Sequence, residues 1–324
     1  MTGTFVLSLD TELIWGSFDH LADHRFERLY PDVRGTIQRI LDILDRYEVP
    51  ATWAIVGHLL LESCSRGPDG RPHSNMPRPS FEWYPHDWYD RDPCKDRFTA
   101  PLWYGRDIVE AILARGIRHE LGSHGFTHAP FLEPGMPVQM ARAELDACID
   151  ASAELGFRPT SLVFPRNVQG HFDVVVERGF TAFRGPDPTW HRGLNGRVAR
   201  AAHLLDHIAA LPPPVSWPFE VRPGLWNIPG SMLFLHRVGV RRAIPMVARV
   251  VKARLGLRQA VREDKVFHLW THPYNLAHDR PAMLAGFEAI IREAADLRAA
   301  GRLEIKPMGG VVASLSQADP LTRS

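Results

Sequence analysis

The sequence predicts an α/β protein whose parallel strands, joined by helical crossovers, curl into a closed or nearly closed barrel. Two observations carry that expectation. Short apolar runs alternate with longer amphipathic ones along the chain, the pattern of strand–helix–strand units. Polar residues able to do chemistry directly follow several apolar runs, as they do in barrels whose sites lie at the C-terminal ends of the strands.

Residues 5–9 read as a first buried strand. Residues 33–47 place Ile37, Ile40, Leu41 and Leu44 at helical spacing. A second strand is expected over 51–56, and a short helix over 108–115 that Gly116 stops. Residues 119–122 read as a third strand and 136–155 as a long helix followed by Gly156. A fourth strand (161–164), a helix (172–178) and a short strand (181–183) follow. After an irregular stretch come a strand at 266–270, a helix at 281–300 and a last strand at 303–305. Six or seven units fit one domain spanning 1–324.

Two segments interrupt the alternation. Residues 62–103 are rich in proline and aromatics. Loops this long are uncommon unless functional or disordered, and disordered segments are poor in aromatics. We expect an ordered flap over the barrel mouth, with a structural insertion packed outside as the alternative. Residues 193–262 are less regular. They hold Pro212-Pro213-Pro214 and then a basic amphipathic run over 241–258. That run reads as a solvated wall helix or as a peripheral membrane contact.

Composition narrows the class. With 45% hydrophobic and 23% charged residues among 324, the chain matches an average soluble protein able to bury a sizeable core. A net charge of +1 gives no reason to expect nucleic acid as a partner. Cys64, Cys94 and Cys148 are odd in number, far apart and without a C-x-x-C pair, so reduced thiols in a cytoplasmic protein are expected. The N-terminus has no basic region, long apolar run or small-residue cleavage site, and no stretch is long enough to cross a bilayer. The expected location is the cytoplasm, including the inner face of the membrane.

The chemistry lies at four strand ends. The first strand runs into Ser8-Leu9-Asp10-Thr11-Glu12, and carboxylates two residues apart on an extended backbone face the same way. The third runs into a segment with His124 and His128. Four apart, they share one face if the chain turns helical after Gly125, and can then hold one ion. No glutamate follows His124, so a zincin-type protease is a poor fit. The fourth strand runs into Phe164-Pro165-Arg166-Asn167, where an arginine can orient a carboxylate through two parallel hydrogen bonds. The late strand runs into Trp270-Thr271-His272, and a histidine there suits a general acid. A carboxylate pair, a histidine pair, an arginine and a further histidine together form the constellation of a metal-assisted hydrolase.

These segments resemble the polysaccharide deacetylases, the NodB-homology domains of carbohydrate esterase family four. Ser8 to Glu12 resembles the family's first motif, Thr-Phe-Asp-Asp-Gly. Residues 51–57 resemble its Ala-Thr-Phe-Phe strand, and His119 to His128 resembles His-Glu-Ile-Gly-x-His-x-x-x-His. Phe164 to Asn167 is similar to a variant third motif, and Leu269 to His272 to the last one, Leu-x-His, with one extra residue. Asp187 to Trp190 is weakly similar to a fourth motif. The resemblance implies a distorted (β/α)7 barrel. It also implies Asp10 as catalytic base, His272 as general acid, Arg166 holding the base, and His124 and His128 as ligands of one divalent metal, zinc by donor type. Thr11 replaces the family's second aspartate, so the third ligand is assigned to Glu12, as in relatives that read Asp-x-Glu.

The implied reaction removes acetyl from an N-acetylated sugar that is polymeric, lipid-linked or nucleotide-linked, a precursor or unit of a cell-surface polysaccharide. Aromatic rings suit sugar faces, which makes Trp88, Trp103 and Trp190, with Asn167 at a strand end, the expected substrate contacts. Trp83 and Trp270 are further candidates, Trp270 rather as core. Two alternatives stand beside this reading. One is a hydrolase of a non-sugar amide or ureide on the same fold, and the other is a catalytically inactive sugar-binding protein.

Overall fold

The computed structural model describes residues 2–191 and 193–317. The extreme ends of the expected 1–324 span, and Arg192, lie outside the described residues. The elements are β1 (Gly3–Thr11), α1 (Asp23–Leu29), α2 (Val33–Arg46), β2 (Thr52–Ile55), α3 (Arg106–Leu113), β3 (Glu120–Ser123), α4 (Val138–Ala153), β4 (Ser161–Val163), α5 (Phe172–Glu177), β5 (Ala182–Arg184) and α6 (Gly196–Ile208). There follow β6 (Phe219–Arg222), β7 (Leu225–Asn227), β8 (Met232–Leu233), α7 (Met246–Glu263), β9 (Val266–Thr271), α8 (Pro273–Ala277), α9 (Arg280–Ala299), β10 (Leu303–Ile305) and α10 (Met308–Gln317).

The predicted α/β class holds. The strands lie in the order β6-β7-β5-β4-β3-β2-β1-β9-β8, parallel except for the β6–β7 hairpin. The sheet curls until its ends meet in one stretch of chain. Trp226, Ile228 and Gly230 donate their backbone N–H groups to the β5 edge, and Ser231 and Phe234 donate theirs to β9. Residues 225–234 therefore form a seventh stave, split where Pro229 has no N–H to give. This is the distortion in the (β/α)7 barrel. β10 is a short addition beside the start of β1.

Alternation along each strand builds the site. On β1, Val6, Ser8 and Asp10 share one face, while Phe5, Leu7 and Leu9 point the other way into the helix-packed core. The inward face changes from apolar to polar along the strand. At the bottom, Val6, Ala54, Val163, Ala182, Ile228 and Val266 pack on Met308, Val311 and Val312 of α10, which plugs the barrel. At the top the same faces carry Asp10 and Arg184.

Residues 62–103 hold only isolated bridges and turns, yet they are packed. Trp88, Trp103, Tyr84 and Tyr89 bury their rings edge-on against Trp15 and Phe18. Cys64 and Cys94 form a disulfide that closes this insertion, and buried Cys148 is the free thiol among the described residues. That corrects the expectation of three reduced thiols: cysteines thirty residues apart are brought together by a fold their spacing does not reveal. The basic run over 241–258 is also less available than expected. Arg249 and Lys252 are buried, and Arg254 and Arg258 pair with Glu293 of α9. Among the described residues no helix is long and apolar enough to cross a membrane.

Candidate active site

Asp10 is the most constrained carboxylate of the barrel mouth. Both of its oxygens accept from Arg184, at 2.7 Å each, and the pair is almost wholly buried. Burial, the largest influence, pushes its pKa up, but the charge and hydrogen bonds of Arg184 outweigh it and hold the carboxyl below its ordinary value. Arg184 also reaches Ser8 Oγ at 3.0 Å, and its guanidinium lies over the Trp270 ring. Ser8 in turn lies 2.9 Å from His268 Nε2.

Arg166 was expected in the place that Arg184 takes. It pairs instead with Asp19, at 2.7 Å, and lies over the ring of Trp83. The reason is geometric. Arg166 is past the end of β4, in a turn with φ of 57°, whereas Arg184 is the last residue of β5 and points inward. The rule that flags a polar residue at a strand end applies to Arg184 as well as to Arg166.

Glu12, His124 and His128 converge. Glu12 Oε2 lies 3.2 Å from His124 Nε2 and 2.9 Å from His128 Nε2, with all three side chains buried. Glu12 Oε1 accepts from the Tyr274 hydroxyl at 2.7 Å. Burial is again the largest influence on Glu12 and raises its pKa. The charges of His272 and His128 and the hydrogen bonds of His124 and His128 outweigh it, leaving the carboxyl well below its usual range. Burial lowers the pKa of His128, while Glu12 and Asp10 overcome burial and raise that of His124.

The protons on this cluster decide whether a cation fits. His124 Nδ1 lies 2.7 Å from the Val163 carbonyl oxygen, which can only accept, so the ring proton sits on Nδ1. In neutral His124 the lone pair of Nε2 then faces the Glu12 carboxylate. Two acceptors at that distance require a positive charge between them, and a divalent ion meets that need with the imidazole and carboxylate donors that suit zinc. The three donors fit such an ion.

The histidine segment is held from behind. Gly125 (φ 72°) and His128 (φ 60°) both adopt the left-handed region, which is uncommon for a residue other than glycine. Buried Glu144 of α4 accepts from the backbone N–H groups of Phe126 and Thr127 and from the Thr127 hydroxyl, at 2.6–3.0 Å. Trp88 donates to the Thr127 carbonyl at 3.0 Å. On the opposite wall, His272 Nε2 lies 3.5 Å from Glu12 Oε1 and 3.8 Å from Asp10 Oδ2. Its ring stacks on Tyr274, and Asn275 Nδ2 lies 3.3 Å from its Nδ1.

Of the expected substrate contacts, Trp88 and Trp103 are each 1% exposed. One braces the histidine segment and the other donates to Asp23, so neither offers an open ring face. Their burial depends on how the insertion packs, which local sequence does not encode. Trp190 is 63% exposed and donates to Asp206. Asn167 Oδ1 lies 3.5 Å from Arg184. Trp270 is buried, and its Nε1 donates to Asp187, whose pKa burial pushes up to about 6.

Gly16 gives a direct check on Glu12. A Cβ added there would stand 1.9 Å from Glu12 Oε1. Because Tyr274 and both histidines grip that carboxylate, it has nowhere to relax without losing a partner. Gly16→Ala is expected to weaken metal retention by about 10–100-fold with the fold intact. Competition with a coloured chelator measures this, and unchanged retention would remove Glu12 from the ligand set.

A seven-stave barrel with a buried carboxylate–histidine cluster, an ion-paired carboxylate and a histidine at its mouth fits the class of amide-bond hydrolases. A family model described as polysaccharide deacetylase matches residues 10–171, half of the chain. The chain belongs to the polysaccharide deacetylase family. No curated protein matches it. Among solved structures, an assigned polysaccharide deacetylase from Mycobacterium smegmatis is 16% identical, with 98% of this chain and 91% of that one covered and a TM-score of 0.61. A second, from Pseudomonas aeruginosa PAO1, is 15% identical (98% and 91% covered, TM-score 0.58). Puue allantoinase is also 15% identical (98% and 90% covered, TM-score 0.59). At these identities the likeness is one of fold. The matched segment includes Asp10, Glu12, His124 and His128 and ends before Arg184 and His272.

Proposed function

We propose that the chain is a metal-dependent N-deacetylase acting on an acetylated amino sugar, with one catalytic domain built around the barrel mouth. The observation that carries this reading is the convergence of Glu12, His124 and His128 beside Asp10 and His272. Glu12, His124 and His128 would hold the ion. A bound divalent cation, zinc by donor type, supplies Lewis acidity. Asp10, ionised and fixed by Arg184, takes the proton of the attacking water. His272 gives a proton to the departing nitrogen, which leaves poorly as an anion. The products are acetate and a free amine.

Of the tryptophans considered for sugar contact, Trp190, 63% exposed, keeps an open ring, whereas Trp83 is stacked on Phe81 and covered by Arg166. The substrate class is a unit or precursor of a cell-surface polysaccharide. The Cys64–Cys94 disulfide supports an oxidising compartment and weighs against the cytoplasm. A second reading, hydrolysis of a non-sugar amide such as a ureide, draws on the likeness to Puue allantoinase.

The test is acetate release from N-acetylglucosamine oligomers by the zinc-loaded chain, beside metal content in the wild type and in a His124→Ala, His128→Ala double variant. Metal-dependent release that the double variant lacks supports the reading. Ureide hydrolysis without acetate release from any acetylated sugar would move the assignment to the second reading. An inert chain that binds such sugars would be a binding protein.

A further inference from the structure

Outside the barrel mouth, one other set of metal-ligating side chains converges among the described residues: His58, His73 and Asp92. His58 sits in the turn that leaves β2, while His73 and Asp92 both belong to the insertion over 62–103. The two imidazole Nε2 atoms are 2.9 Å apart. Asp92 Oδ2 lies 2.7 Å from His73 Nε2 and 3.1 Å from His58 Nε2. All three side chains are buried.

The outer atoms of His58 and Asp92 are already engaged. His58 Nδ1 is 3.2 Å from the Trp103 carbonyl oxygen, an acceptor, so the ring proton belongs on Nδ1. Asp92 Oδ1 accepts from the Cys94 N–H at 2.8 Å and from the Tyr104 hydroxyl at 3.1 Å. These outer bonds are of the kind that orient metal ligands: the imidazole proton on a carbonyl and the spare carboxylate oxygen on donors. What remains facing inward is the lone pair of His58 Nε2, His73 Nε2 and Asp92 Oδ2. In the neutral histidine pair, a single proton on His73 Nε2 is all that separates these acceptors, and it cannot bond to both partners at full strength.

We propose that His58, His73 and Asp92 form a second, structural metal site that takes a divalent cation of the zinc class and pins the insertion to the barrel. Two imidazoles and one carboxylate match zinc in donor type, with cobalt(II) as its spectroscopic substitute. Its place gives it a task. The insertion has little regular structure of its own, and the ion would tie two of its points, nineteen residues apart, to the end of β2. Trp103, which shares the His58 bond through its carbonyl, also receives the Trp15 indole N–H at that oxygen. The clip thus sits inside the aromatic packing that braces the histidine segment of the active site.

The experiment strips the purified chain with dipicolinate, reloads it with zinc, removes the excess and counts zinc by mass spectrometry. Circular dichroism checks each variant's fold. The wild type is expected to hold about two equivalents, His124→Ala, His128→Ala about one, and His73→Ala about one with a lower thermal midpoint. Cobalt(II) in the His124→Ala, His128→Ala background should show the visible absorption of an imidazole-bound ion, and His73→Ala added to that background should abolish it. A natively folded His124→Ala, His128→Ala variant with neither zinc nor cobalt absorption overturns the proposal, as does a wild-type zinc count that His73→Ala leaves unchanged. If His73→Ala does not fold, Asp92→Asn takes its place. Failure of the active-site reading looks different: zinc would then be lost with His73→Ala but not with the changes at His124 and His128.

Discussion

Asp10→Asn and Arg184→Met are each expected to destabilise the chain by about 3–5 kcal/mol, and the double variant by much less. Each single change strands one buried charge without its partner. In Asp10→Asn the guanidinium loses its counter-charge and one of its two short bonds, keeping the amide oxygen, Ser8, Asn167 and the face of Trp270. In Arg184→Met the carboxylate loses both short bonds that hold its pKa down, so burial drives it toward the neutral acid. Changing both removes the pair together, and a neutral pair costs little to bury. Urea titrations of the four proteins close the cycle. Activity should follow a different rule, because the proposed base is gone in both Asp10→Asn and the double variant. Turnover there should fall by about 10²–10⁴-fold whatever the stability. A double variant that regains stability and turnover together would remove Asp10 from the reaction.

Glu144→Ala should be nearly as damaging to the fold, for a different reason. It leaves two buried backbone N–H groups and the Thr127 hydroxyl without their acceptor, at about 1–3 kcal/mol each. His128, held with positive φ directly after these residues, loses the brace that keeps it there, so zinc retention should fall as well. Glu144→Gln separates the bond from the charge, since its amide oxygen can accept from both N–H groups and its NH₂ can donate to the Thr127 hydroxyl. Burial pushes the Glu144 pKa up from an ordinary 4.5 to about 7, against the three bonds it accepts. The folded chain thus holds this proton more tightly than the unfolded chain does. The stability this group contributes is fully present below about 4.5 and declines as pH rises through about 7. Stability measured across that window should slope downward in the wild type relative to Glu144→Gln. Parallel curves would mean that Glu144 is ionised throughout.

The barrel was legible because its strands carry their own signal. Each is a short apolar run bounded by turn residues, and its inward face continues without a break into the site. Asp10, Glu12, His124 and His272 could be found at strand ends for that reason, and the structure brings them together with His128. Arg184 obeys the same rule but ends a strand of only three residues. Trp88 and Trp103 are different. Whether an aromatic side chain lines a cleft or fills a core depends on what packs over it, and here the cover is an irregular insertion. The Cys64–Cys94 bond and the His58–His73–Asp92 cluster join residues fifteen to thirty-four positions apart, on no α-helix or strand, so no periodicity marks them.

The pairing of β1 carries a consequence for how the chain is made. β1 lies in the middle of the sheet, hydrogen-bonded along one edge to β2 and along the other to β9, with Leu9 beside Thr271. β2 leaves the ribosome soon after β1, but β9 follows some 260 residues later. At about 5–20 residues per second, the second edge of β1 waits some tens of seconds for its partner. During that time the nascent chain presents an open strand edge beside an apolar face, the kind of surface that pairs with another copy. A holdase engaged until α7 and β9 emerge would matter more to the yield of this protein than any gain in the stability of its finished barrel.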